Sequence, residues 1–195
     1  MDLKFTDEQN MLRDMTRDLC SDYSDVAVVR KMENDPIGIP TELWAQMQGT
    51  GLLGMRIPEA HGGMGLSLLD CAVIYEQLGR FLAPGPYFDS TAMSAGALVH
   101  SGDANWQAKL LPAIATGDSI VVPAWLEPDN GFGAIGVQLR ARRDGDDYVL
   151  DGDAELGTVQ AVCAFLAPAH LRLHHPAVVV GEEAPALPMF AYAPL

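Results

Sequence analysis

Few residues of this chain are spaced for chemistry. The most suggestive set is Gly131-Phe132-Gly133-Ala134-Ile135-Gly136, which matches the G-x-G-x-x-G pattern. In that pattern glycines let the backbone approach a pyrophosphate at a helix N-terminus, so a strand must come directly before them and a helix after. Here Glu127-Pro128-Asp129-Asn130 intervenes before the glycines, and residues 137–142 alternate like a strand after them. The segment therefore reads as a loop. His61, in E-A-H-G-G, would need a carboxylate or nucleophile fixed beside it, and the spacing fixes none. His174 and His175 are adjacent, so in an extended chain they point apart, and no third ligand accompanies them. Cys20, Cys71 and Cys163 are odd in number and far apart, which predicts reduced core thiols rather than a zinc site or a disulfide framework. Asp146-Asp147 and Glu182-Glu183 read as solvated turn charges. Neither G-x-S-x-G nor a Walker sequence is present. No residue is assigned here to catalysis or to a metal.

Composition narrows the partners. A net charge of −14 disfavours nucleic acid and anionic membrane surfaces. Arg140, Arg142 and Arg143 form the only basic cluster. With 49% apolar residues the chain can bury a real core, and 195 residues fit one large domain or two small ones. The polar, acidic start M-D-L-K-F-T-D-E-Q does not read as a signal peptide, and no apolar run reaches membrane-spanning length. A cytoplasmic protein is expected.

The elements that position these residues change character along the chain. Thr6 and Gln9 predict a capping box, followed by Met11, Met15 and Leu19 at helical spacing with Leu12 beside them. Residues 24–39 have weaker periodicity and end in a loop. A second helix is predicted from Pro40 and Thr41, with Leu43, Trp44 and Met47 as its apolar face and Gly49 and Gly51 as its stop. Residues 56–65 are glycine-rich and predict no regular element. Ser67 and Asp70 open a third helix with Cys71, Ile74, Tyr75 and Leu78 on one face. Asp89 can cap a fourth, rich in small residues. Asp103 can cap a fifth, with Trp106, Leu110 and Leu111 inward and a break at Pro112. Beyond Gly117 the pattern turns to strands. Residues 120–126 form an apolar run of strand length. Val137, Leu139 and Ala141 alternate with Gln138, Arg140 and Arg142, and Asp144-Gly145 signals a hairpin returning through Tyr148-Val149-Leu150. Further strands are predicted at 162–166 and 177–180, and the Pro- and Ala-rich tail shows no closing element. Helices first and strands second predict an α+β chain of two domains, residues 1–118 and 119–195.

Several segments, in order, carry a family likeness. They are L-K-F-T-D-E-Q-N-M-L-R-D, then E-L-W-A-Q-M-Q-G-T-G-L-L-G-M-R-I-P-E-A-H-G-G-M-G-L-S, then Y-E-Q-L-G-R, then L-L-P-A-I-A-T-G-D. Together they resemble the N-terminal part of acyl-CoA dehydrogenases, and R-D-G-D-D-Y-V-L-D-G resembles that family's middle-domain hairpin. The resemblance implies a helical N-terminal domain followed by a mostly antiparallel, β-barrel-like middle domain, here incomplete. The family's C-terminal four-helix domain, with its glutamate base, is missing from these residues. It also implies FAD as cofactor and an acyl-CoA thioester as substrate, oxidised at Cα and Cβ in lipid metabolism, whether of fatty acids or steroids.

Three positions bear on the flavin. The family's T-E-P motif corresponds to Leu126-Glu127-Pro128, preceded by Trp125, with leucine in place of threonine and D-N-G-F-G in place of a Gly-Ser-Asp loop. Leucine offers no hydrogen bond to a polar flavin edge. The family's Gly-Lys-x-Trp-Ile-Thr run corresponds to residues 152–158, where Thr158 alone keeps its hydroxyl. Trp125, Leu126 and Thr158 are therefore the expected cofactor-binding positions. These departures imply a chain inactive by itself, in a homo- or hetero-oligomer with a full-length acyl-CoA dehydrogenase subunit. The alternative is a redox-inactive structural or binding module that kept the fold.

Overall fold

The computed structural model describes residues 4–123 and the strands 140–144, 147–151, 170–173 and 190–194. Helix α1 (Asp7–Tyr23) opens on the expected capping box: Gln9 N donates to Thr6 Oγ1 at 3.2 Å, and Thr6 N donates to Gln9 Oε1 at 3.1 Å. Its buried stripe differs from the methionine stripe read in the sequence. Met11 is 68% exposed, whereas Thr16, Leu19 and Cys20 are buried with Leu12 and Met15 against the core. Thr16 tolerates burial because its hydroxyl donates to Leu12 O at 2.8 Å, which a search for apolar residues alone does not see. A short helix α2 (Val26–Met32), capped by Asp25, occupies part of the weakly periodic stretch, and none of its residues is buried.

Helix α3 (Thr41–Thr50) starts where Pro40 predicts, buries Leu43, Trp44 and Met47, and ends on left-handed Gly51; Gly49 lies inside it. Helix α4 (Leu68–Arg80) has the Ser67–Asp70 capping box, and Gln9 Nε2 donates to Asp70 Oδ1 at 2.9 Å, tying its start to that of α1. Cys71, Ile74 and Leu78 are buried as read.

A π-helical segment, Phe88–Ser94, follows and runs into α5 (Ala95–Ser101). Asp89 caps nothing. Its segment is already bonded from Pro86, whose carbonyl accepts from Ser90 N at 2.9 Å, so Asp89 falls inside the first turn. Helix α6 (Ala104–Thr116) is capped by Asp103 and is not broken at Pro112. The carbonyl that Pro112 leaves without its amide belongs to Ala108, an exposed residue, where losing the bond costs less than in the core.

Strand β1 (Ser119–Pro123) sits between two apolar clusters. Ile120 and Val122 join the cluster built by α1, α3 and α4, while Val121 joins that of α5 and α6. Alternate side chains of one strand thus bury in opposite directions, which explains a continuous apolar run. Strand β5 (Phe190–Pro194) pairs antiparallel with β1, so the tail does contain a closing element. Pairing supplies what its proline-rich composition hid: Phe190 to Ala193 lie among five consecutive residues in register with β1. Strands β2 (Arg140–Asp144) and β3 (Asp147–Asp151) form the predicted hairpin, with Asp144 opposite Asp147, and β4 (His170–Leu173) adds to β3 in parallel. The expected strands at 162–166 and 177–180, and closure into a barrel, lie outside the described residues.

Candidate functional site

One concavity among the described residues is an open, mostly apolar groove of about 800 Å³ between α4 and the chain that leaves it. Leu68, Ala72 and Tyr75 of α4 line one side; Leu82, Phe88 and Ala92 line the other, and Glu76 stands at the rim. The phenol of Tyr75 is shared with the π-helical segment, 2.8 Å from Thr91 Oγ1, which in turn donates to Tyr87 O at 2.7 Å. Tyr75 also meets Phe88 edge-on, with ring centroids 5.5 Å apart. Burial pushes the Tyr75 phenol up to about 12, the Thr91 contact opposing this, so it stays neutral at ordinary pH. Burial likewise raises the Asp89 carboxyl above its usual range. Nothing in the groove is poised as a nucleophile; its chemistry is that of holding an apolar body.

The chain that leaves α4 is held by a double bond pattern at its end: Ala83 N donates to Leu78 O at 2.9 Å and Leu82 N to Gly79 O at 3.1 Å. This wrap places its penultimate residue in the left-handed region, usually glycine's place. Leu82 occupies it, with φ of 51°.

A second feature leads toward the expected flavin positions. Val121 N donates to Ser90 Oγ at 3.2 Å, and the other edge of β1 pairs with β5. Strand β1 is therefore held by β5 along one edge from Ser119 to Pro123, and by Ser90 at Val121. Ser94 and Ser119, one on the π-helical segment and one on β1, carry buried hydroxyls with no hydrogen-bond partner among the described residues.

Trp125, Leu126 and Thr158 themselves lie outside the described residues, as do Gly131 to Gly136, His174, His175 and Cys163. His61 ends a short 3-10 turn, Glu59–His61, half-buried. Cys20 and Cys71 are buried thiols pushed up to about 11 by desolvation, which leaves them protonated and unreactive. Among the described residues no group of three or more His, Cys, Asp or Glu could hold a metal. Sequence reasoning missed the groove. Its only available signal was a pair of leucines and one phenylalanine, Leu68, Leu82 and Phe88, outside any predicted apolar face.

The order of these elements decides the lineage. Residues 6–118 match the model of the acyl-CoA dehydrogenase N-terminal domain. The chain belongs to the acyl-CoA dehydrogenase family. Bovine mitochondrial isovaleryl-CoA dehydrogenase is 32% identical over 114 residues, which cover 57% of this chain and 27% of that protein. A variant of the Tcur3481-Tcur3483 steroid ACAD superposes with a TM-score of 0.69 at 31% identity, over 85% of this chain and 44% of the other. The ChsE4-ChsE5 complex from Mycobacterium tuberculosis gives 0.72 at 25% identity, over 88% and 46%. An acyl-CoA dehydrogenase complexed with FAD from Bacillus anthracis gives 0.66 at 28% identity, over 76% and 26%. The chain thus spans less than half the length of each of these acyl-CoA dehydrogenase relatives.

Proposed function

We propose that this chain is the N-terminal helical part (residues 1–118) and middle β part (119–195) of an FAD-dependent acyl-CoA dehydrogenase subunit. Its assembly is a mixed oligomer, in which a full-length companion subunit supplies the catalytic base and completes the flavin site. The observation that carries this reading is the family match over residues 6–118, continuous with a β1 paired to β5 through Pro123 and bonded to Ser90 at Val121. The family reaction is α,β-dehydrogenation of an acyl-CoA thioester. The ChsE4-ChsE5 complex supports a two-subunit assembly, and the steroid ACAD supports a bulky acyl group.

A rigidly held β1 fits a cofactor contacted by the segment that follows it. Trp125 and the backbone around Leu126 would meet the flavin, and Thr158 would offer a hydroxyl. FAD, when bound, supplies the acceptor for a hydride from the substrate. This chain's own contribution is to orient and to exclude water. The groove beside α4 is the proposed seat of the acyl group, since its walls offer apolar surface and a neutral phenol. A cytoplasmic setting completes the proposal; no helix among the described residues is long and apolar enough to cross a membrane.

Leu126 favours a second reading, a binding module that kept the fold without redox chemistry, because leucine cannot hydrogen-bond a flavin edge. Visible flavin absorbance separates the two. The purified chain is measured alone and after co-expression with acyl-CoA dehydrogenase subunits encoded beside it. FAD bound only in the co-purified complex is the expected result. FAD in the chain alone would mean that no companion is needed, and no FAD in either sample would leave the redox-inactive module.

A further inference from the structure

We propose that one face of the β2-β3-β4 sheet, on which the strand register sets Arg142 and Arg172 in a single row with Arg140 beside it, binds the phosphate groups of a nucleotide. In the sequence Arg140, Arg142 and Arg143 form one basic cluster. The sheet divides it. Residues in register across strands share a face, and successive residues of a strand alternate between faces. Arg142 is in register with Val149, and Val149 with Arg172 of β4, so these three make one row. Arg140, opposite Asp151, lies two positions along on the same face, as does the row of Asp144, Asp147 and His170. Arg143 falls on the other face, in a row with Tyr148 and Leu171, and shares that face with Ala141, Leu150 and Leu173. One face is thus apolar apart from Arg143 and the other is polar, the division of a sheet that packs on one side and meets water on the other.

Charge is unevenly spread over the polar face. Arg140 has an acid opposite it, and the hairpin end sets two aspartates in a row with His170. The row between holds Arg142 and Arg172 and no acid. Its two arginines stand two strand spacings apart, about 10 Å, with a valine between them. Like charges gathered in one row repel, and a bound anion offsets that repulsion. Arginine suits phosphate because a guanidinium offers paired N–H donors to two oxygens at once. A chain of net charge −14 repels phosphorylated ligands elsewhere, so a local row of cations is where one is received. Arg172 is far from Arg142 in the sequence and enters the row only because β4 pairs with β3. Coenzyme A and FAD both carry such phosphates, and the choice of probe tells them apart.

The test is calorimetric titration of the 195-residue chain with adenosine 3′,5′-bisphosphate, the nucleotide end of coenzyme A, and with ADP, the nucleotide half of FAD. Adenosine is the phosphate-free comparison. Arg142→Gln, Arg172→Gln, Arg143→Gln and Arg30→Gln each remove one positive charge. Arg143 is the sequence neighbour on the other face, and Arg30 is exposed on α2. Arg142→Gln and Arg172→Gln are each expected to bind the preferred nucleotide about five- to tenfold more weakly, and the other two to stay within about twofold of the native chain. Each variant is melted alongside. Where a Gln variant melts lower, Arg142→Lys or Arg172→Lys takes its place; lysine keeps the charge and loses the paired donors, and about threefold weaker binding at the native Tm is expected. Equal weakening in all four Gln variants would reduce the effect to net charge. An effect of Arg143 without one of Arg172 would mean that the sequence cluster binds and the register row does not. Either result overturns the proposal, as does adenosine binding as tightly as the nucleotides, or no nucleotide binding by the native chain. Preference for the bisphosphate assigns the face to coenzyme A, and preference for ADP assigns it to FAD. A chain that never loads flavin leaves the proposal standing, because neither probe carries one.

Discussion

Helices α4 and α6 end in the same backbone conformation with opposite side chains. Gly117 stops α6 at φ 74°, and a Cβ there would lie 2.5 Å from Leu53 Cδ1 and 2.8 Å from Gln48 Cγ. Its carbonyl accepts from Trp44 Nε1 at 3.2 Å inside the core. Conformation and space agree on glycine at this end. At the end of α4 the conformation alone asks for glycine, and the open groove leaves room for Leu82. The first end shows how packing fixes a residue type. The second shows a residue that the fold does not require.

The comparison breaks if the two ends respond alike. Gly117→Ala is expected to cost about 3 kcal/mol in urea unfolding, since it adds backbone strain and a buried clash. Leu82→Ala, which keeps the strain and removes an exposed side chain, should stay within about 0.5 kcal/mol. Trp44→Phe tests the hydrogen bond that anchors the α6 end: the orphaned carbonyl of Gly117 should cost about 1–2 kcal/mol by the same measurement. The opposite end of α4 follows the rules. Ser67→Ala removes the acceptor for Asp70 N and should cost about 1 kcal/mol.

A small, pH-dependent effect concerns Asp89. Burial raises its folded pKa above the ordinary 3.8, so the folded chain holds that proton more tightly than the unfolded one. Its favourable contribution is present below 3.8 and is lost as pH rises through the raised folded value. Asp89→Asn should therefore melt about 1–2 °C above the native chain at neutral pH and converge with it in acid. Melting curves across pH give the sign directly.

Helix starts were legible in the sequence because a cap is a local event. Thr6, Ser67 and Asp103 each act on amides within three residues, and each does so in the structure. Asp89 misled because its carboxyl was read without Pro86, which begins the bonding earlier. Pro112 misled because only the folded context shows that Ala108, whose carbonyl loses its amide, is exposed. Leu82 escaped notice for a related reason: the sequence reads a leucine after a helix as ordinary, and φ is not written in it. The groove follows suit, since Leu68, Leu82 and Phe88, which line it beside Tyr75, sit outside the apolar stripes read in the sequence. Strand β5 required knowing its partner, which lies far away in the chain.

That distance has a consequence for the order in which the molecule is made. Ser119 and its partner Pro194 are 75 positions apart, so every described helix is synthesised before the strand that pairs with β1. During that interval Ser90 holds one edge of an apolar strand, while the other offers unpaired amides and carbonyls. A nascent chain in this state is a template for its neighbours on the same message, and the interval is when aggregation competes with folding.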